Sequence, residues 1–186
     1  MIYEIDARDT LVYVDDEWDR FADANSGNQV VSRQVLGTCL WSHIRDRESQ
    51  HLYEILCRQV RTHRRTASIP FRCDSPTERR HLRLDISPME VDLHLRFETL
   101  TEKVEPRTSA ETRAQIELDR IEHVDGGAML VVCSWCKRVR RHDRAGWAEV
   151  EILARDLKLF ELEELPCITH GVCAECAERV RREIAH

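Results

Sequence analysis

No apolar run in this sequence is long enough to cross a bilayer; the longest are short stretches such as AMLVVC at 128–133. The first ten residues, MIYEIDARDT, carry acidic side chains and no apolar stretch of the secretory kind. The expectation is a chain without a leader peptide, working in the cytoplasm and away from membranes. No Gly-rich phosphate loop occurs, which removes the common nucleotide-binding motif. No kinase, cyclase or receiver segment is visible, and Ser, His and Asp are scattered in no order that defines a triad. The chain is therefore expected not to be an enzyme. No repeat of the solenoid kind and no low-complexity tract is present. A strong charge of either sign is also missing: the net charge is −6 over 186 residues. That argues against nonspecific nucleic-acid binding by the whole surface, although a local basic patch remains open.

What the sequence does have is a globular balance, 42% hydrophobic and 33% charged. It also has eight cysteines. In a reducing compartment these do not read as a disulfide framework. Four of them form two Cys-x-x-Cys pairs, Cys133/Cys136 in VVCSWCKRVR and Cys173/Cys176 in THGVCAEC. Such pairs indicate a metal site or a redox motif.

The hydrophobic pattern predicts an α+β fold. MIYEID and TLVYV read as two strands joined by a turn at Asp6–Asp9. Asp15 or Asp16 caps a short helix on which Trp18, Phe21 and Ala22 share one face. A longer helix is predicted from Ser49 to His63, with Leu52, Ile55, Leu56 and Val60 as its apolar stripe. Three strands follow by alternation: Ile69/Phe71/Cys73, Leu82/Leu84/Ile86 and Leu93/Leu95/Phe97. Between the first two of these, Arg72, Asp74, Arg79 and Arg80 suit an ion-pair set that pins the loop. Next, Thr108-x-x-Glu111 is a capping-box pattern. It opens an amphipathic connector helix with Ala110, Ala114, Leu118 and Ile121, stopped at Asp125-Gly126-Gly127. Its narrow stripe fits either a partner helix or the chain's own core. Further helices are predicted over Gly146–Lys158 and over AECAERVRREI. In the second, Cys176, Val180 and Ile184 share a side. Cys39, Cys57 and Cys73 read as small buried hydrophobes.

The stretch DDEWDRFADANSG, with its D-x-x-W-x-x-F-A-x-x-N spacing, and VLGTCLWSHI before the main helix resemble the PAS sensor domains of bacterial signalling proteins. The resemblance covers residues 1–104. It implies an antiparallel five-stranded sheet with flanking helices and a small ligand or partner as signal. Haem is disfavoured, because His51 and His63 lie off the apolar stripe and His43 precedes the helix. No flavin-adduct motif occurs, so a small apolar ligand, or none, is expected.

The two cysteine pairs supply four soft donors, the number a tetrahedral Zn²⁺ takes. The first pair follows a strand-like stretch. The second opens a helix, where amide donors favour thiolates. A zinc-ribbon or treble-clef-like module over 128–186 is expected, reached through the connector at 105–127. The ligands would be Cys133, Cys136, Cys173 and Cys176. His170, three residues before Cys173, is a possible substitute ligand or a group that orients the loop. Cys167 is a spare donor. An iron–sulfur cluster uses the same ligands, and a dithiol–disulfide switch or thiol oxidoreductase is the principal alternative. This tail is also similar to a C-terminal cysteine module attached to bacterial PAS and response-regulator receiver domains. The matching residues are Cys133, Trp135, Cys136, Lys137, Trp147, Glu151, His170, Gly171, Cys173 and Cys176. Thr169 and Ala174 depart from that pattern, which commonly has serine and proline there. The resemblance implies a signalling accessory role; a signalling protein partner and a homodimer are expected. Lys137, Arg138, Arg140, Arg141 and Arg144 form a basic patch suited to such a partner, or in a further alternative to DNA in a transcription regulator.

Overall fold

Asp15 does double duty at the start of the chain. Its carboxylate accepts from the backbone N–H of Trp18 at 3.2 Å and from that of Ile2 at 2.7 Å. The first bond caps α1 (Asp16–Ala24), and the second ties it to β1 (Ile2–Ile5). The computed structural model describes residues 1–24, 27, 29–44, 46–91, 93–121, 129–141, 146–156 and 167–185. The side chains of 117–121, 129, 154, 167, 184 and 185 lie outside that description.

β1 pairs antiparallel with β2 (Leu11–Val14), with a register shift between Glu4 and Ile5. The expected turn between them forms: Asp6 Oδ1 accepts from the N–H groups of Arg8 and Thr10 at 2.8 and 2.9 Å. α2 (Ser32–Val35) and a 3₁₀ turn (Leu40–His43) lead to α3 (Arg47–His63). Asp46 caps α3 by accepting from Glu48 and Ser49, and Arg64 ends it in the left-handed region at φ 55. Three strands follow, β3 (Ala67–Arg72), β4 (Glu78–Pro88) and β5 (Leu95–Pro106). The result is a five-stranded antiparallel sheet in the order β2-β1-β5-β4-β3, with flanking helices.

Two units divide the chain. The first comprises Met1–Ile69, Arg83–Leu100 and Arg179–His186. Its core holds Ile5, Leu11, Val35, Leu56, Val60, Ile86, Leu95 and Phe97, all essentially inaccessible to solvent. Each such side chain contributes about 1.5–3 kcal/mol relative to exposure. Tyr3 stacks on Phe97 at 4.5 Å between ring centroids and meets Trp18 edge-on at 5.5 Å.

The second unit comprises Pro70–Leu82 and Thr101–Glu178. α4 (Ser109–Ile121) opens with the predicted capping box: Thr108 N–H donates to Glu111 Oε2 at 2.7 Å, and Glu111 N–H to Thr108 Oγ1 at 3.3 Å. The predicted stop at Asp125–Gly127 lies outside the described residues. β6 (Met129–Cys133), β7 (Val139–Arg140), β8 (Trp147–Ala148) and β9 (Cys167–Gly171) form a sheet in the order β8-β7-β6-β9. Only the β6–β9 pairing in this sheet is parallel. α4 packs on α5 (Val150–Asp156), and α6 spans Ala174–Ala185. Leu130, Val132, Val139, Val150 and Leu153 form the unit's core, with Ile168 against it.

Several expectations need correction. The predicted helix from Gly146 begins at Val150, because Trp147 and Ala148 pair with Arg140 and Val139 as a short strand. Leu157 and Lys158 lie outside the described residues. Phe21 is exposed, and only Ala22 of the predicted α1 face is buried. Leu93 stands before β5 at φ 55 and is exposed, so the alternation there starts at Leu95. Cys39 is exposed and Cys73 half-buried, which leaves Cys57 as the buried thiol of those three. On α4, Ala114 is buried but Ala110 is exposed.

Candidate metal centre

β6 delivers Cys133 to a tight turn into β7. Cys133 N–H donates to Arg138 O at 2.7 Å, and Lys137 N–H to Cys133 O at 2.9 Å. Lys137 itself sits at φ 60, the left-handed conformation that reverses the chain. The turn curls Cys136 back beside Cys133. The parallel ladder then aligns Cys133 with Gly171 at the end of β9, and Ser134 N–H donates to Gly171 O at 2.9 Å. Three residues later the chain enters α6, with Cys173 just before its first turn and Cys176 within it.

The four sulfurs of Cys133, Cys136, Cys173 and Cys176 lie within 4.8 Å of one another. Cys136 Sγ and Cys173 Sγ, one from each pair, are 3.7 Å apart. Cys133, Cys173 and Cys176 are buried and Cys136 is half-buried. Backbone amides point at the sulfurs: Cys173 N–H reaches Cys133 Sγ at 3.4 Å, and Cys176 N–H reaches Cys173 Sγ at 3.4 Å. Such donors stabilise thiolates and leave the sulfurs converging on one point.

Electrostatics favour a cation at that point. Cys136 is pushed far down, by hydrogen bonds from the thiols of Cys133 and Cys176 and then by Arg138. Cys176 is pushed far up by Cys133 and Cys136, and Cys133 is raised through its bond to Cys136. Favouring charge on Cys136 and disfavouring it on Cys133 and Cys176 is what like-charge crowding produces. A divalent ion lifts the restriction. The cluster can thus hold a metal ion.

The remaining predicted residues scatter around the cluster. His170 lies on β9 opposite Val132, is exposed, and is not one of the four converging donors. Cys167 pairs with Met129 at the other end of β9. Of the basic run, Lys137 is half-buried and Arg140 exposed. Arg141 pairs with Asp156 at 3.0 Å, and Arg144 lies outside the described residues. Arg138 turns toward the cysteines. Its Nε is 3.3 Å from Cys136 Sγ, a terminal nitrogen is 3.5 Å from Cys173 Sγ, and that nitrogen pairs with Glu175 at 2.5 Å.

A second cluster in the same unit was only half legible in the sequence. Arg72 pairs with Asp74, as expected, but Arg107 pairs with the same carboxylate at 2.7 Å. Arg107 also reaches Glu151 at 2.6 Å, Arg72 reaches Glu149 at 2.8 Å, and Arg79 reaches Glu151 at 2.9 Å. Arg80 is outside this set and donates to Cys73 O at 2.9 Å. Burial alone would lower the pKa of Arg72, but its bonds to Asp74 and Glu149 outweigh this and raise it. The network joins the β3–β4 loop and the start of α4 to α5. Arg72 N–H also donates to Trp135 O, inside the first cysteine pair, at 2.7 Å.

In the first unit, a cavity of about 310 Å³ is lined by Asp9, Trp41, Glu54, Arg58, Arg61 and Thr62. Asp9 binds Arg61 at 2.7 Å and accepts from Trp41 Nε1 at 2.7 Å. Apart from Trp41, the lining residues are charged or polar. His51, His63 and His43 are all exposed. No helix among the described residues is long and apolar enough to cross a membrane. Compared with known proteins, the chain matches no family model, no curated protein and no solved structure.

Proposed function

We propose that the chain is a non-enzymatic cytoplasmic signalling adaptor. Residues 1–104 act as a PAS-like sensor of a small ligand or a partner. The connector at 105–127 carries that state to the cysteine module at 128–186, which one structural Zn²⁺ holds together. Output is protein–protein contact, with the chain as a homodimer. The observation that carries the reading is the convergence of four cysteine sulfurs within 4.8 Å.

The donor set fits zinc. Tetrahedral Zn²⁺ with Zn–S distances of about 2.3 Å needs sulfurs roughly 3.8 Å apart. The 3.7 Å between Cys136 and Cys173 agrees. A turn that supplies one pair and a helix start that supplies the other support the treble-clef-like reading. Four protein ligands leave no position for a substrate, so the ion's role is to neutralise thiolates and cross-link two chain segments. The PAS-like reading is supported by the element order: two strands, short helices, one long helix and three more strands.

The test is a pair of variants, Cys133→Ser and Cys173→Ser. Each should lose the metal and the tertiary structure of the cysteine module at 128–186, because metal binding and folding are coupled in such modules. Amide resonances from the Leu56/Phe97 core should persist. Retention of zinc by both variants, or collapse of that core along with the cysteine region, would overturn the reading. A reversible disulfide in metal-free wild-type protein would favour a redox switch instead.

A further inference from the structure

The metal-centre reading leaves Arg138 unexplained. It stands in the basic run, where a solvated or partner-facing side chain is the default. Instead its guanidinium lies over the cluster. It contacts Cys136 Sγ at 3.3 Å and Cys173 Sγ at 3.5 Å, so one planar group touches one ligand from each pair. Glu175, in the first turn of α6, grips the other side of the fork at 3.3 and 2.5 Å.

Three features make this more than a surface ion pair. The turn fixes the approach: Lys137 at φ 60 and the Cys133 N–H to Arg138 O bond place residue 138 beside the sulfurs. Cys136 is also the least buried of the four cysteines, half-buried where the other three are buried. Finally, four thiolates around a divalent ion carry a net charge of about −2, as follows from a donor set of four Cys S⁻. A fixed guanidinium at 3.3–3.5 Å offsets part of that charge without taking a coordination position. Arginine suits the task because its rigid fork can donate to two acceptors and a carboxylate at once, which a lysine ammonium on a flexible stem does less well.

We propose that Arg138 is a positioning residue of the metal centre: its guanidinium, anchored by Glu175, bridges the Cys136 and Cys173 sulfurs, locks the two pairs together and shields the half-buried ligand. This rests on the proposed metal-centre reading. Outer groups that orient ligands typically change metal affinity about 10- to 100-fold when removed.

The test uses the full chain, stripped with chelator, and Co²⁺ or Zn²⁺ alone as probe. Arg138→Gln should weaken Zn²⁺ affinity about 10- to 100-fold in competition with a chromophoric chelator. It should also shift the sulfur-to-Co²⁺ charge-transfer band to longer wavelength, since N–H···S bonds lower the sulfur lone-pair energy. Arg138→Lys should recover part of the affinity but not the band position. Glu175→Gln keeps both sulfur contacts and should cost less than Arg138→Gln. It also keeps the assignment testable if Arg138→Gln does not fold. Wild-type affinity and an unchanged band in Arg138→Gln would overturn the assignment. So would lower folding stability with an unchanged band, or a Glu175→Gln loss as large as or larger than that of Arg138→Gln. If the wild-type chain takes up neither ion, the metal-centre reading itself fails; if it binds and Arg138→Gln behaves identically, only the role of Arg138 falls.

Discussion

Replacing Asp74 with alanine removes the carboxylate that Arg72 and Arg107 share. Its side chain is 3% exposed, and those of Arg107 and Arg72 are 1% and 9% exposed. Water therefore cannot readily take its place. The loss is not that of a fully stranded charge, because Arg107 keeps Glu151 at 2.6 Å and Arg72 keeps Glu149 at 2.8 Å. Breaking a buried pair outright costs about 3–5 kcal/mol. With one partner retained by each guanidinium, Asp74→Ala should fall at the low end, about 3 kcal/mol. For a chain of this size that corresponds to a fall in Tm of roughly 6–12 °C. Urea unfolding followed by tryptophan fluorescence suits the measurement, since Trp135 is buried in the same unit. A double-mutant cycle with Glu151→Gln should show coupling, because Arg107 bridges the two acids. A loss under about 1 kcal/mol, as surface pairs give, with additive double mutants, would refute the view that this network is desolvated.

Other consequences are simpler to check. Thr108→Ala removes half of the capping box on α4 and should cost about 1 kcal/mol, read from the same urea curves; no change would mean that the box does not hold in solution. Glu105, bonded to Lys103 and then His81, has its pKa lowered from 4.5 to about 2. A depressed carboxyl pKa favours the folded state above 4.5, and that contribution is lost as pH falls toward 2. NMR titration of its side-chain carbon should place the midpoint near 2; a midpoint near 4.5 would refute the pairing. Burial, outweighing the nearby Arg61, pushes the Cys57 thiol up to about 12. Native alkylation at pH 8 should therefore label exposed Cys39 and spare Cys57, as mapped by peptide mass; equal labelling would contradict that burial.

Features set by near neighbours in sequence were the legible ones. Asp15 and Thr108/Glu111 act as helix starts because caps depend on residues only three positions apart. Leu82, Leu84 and Ile86 alternate and are buried as the pleat requires. The convergence of the four cysteines could be anticipated because two short pairs are two halves of one chelate. What escaped was decided by distant partners. The helix predicted over Gly146–Lys158 took in Trp147 and Ala148, but β7 captures them as a strand. The spacing of Trp18, Phe21 and Ala22 gave one apolar face, yet Phe21 stays at the surface. Asp74 could be seen beside Arg72, whereas Arg107, Glu149 and Glu151 lie 33 to 77 positions from their partners. Arg138 looked like one charge in a basic run; only the turn at Lys137 directs it onto sulfur.

Elemental analysis of the protein purified without added metal, with reactive thiols counted before and after chelation, tests the central claim most directly. One zinc per chain, with the thiols of Cys133, Cys136, Cys173 and Cys176 becoming reactive on its removal, is the predicted result. Iron with visible absorbance, or no metal together with a readily formed disulfide between these cysteines, would contradict it.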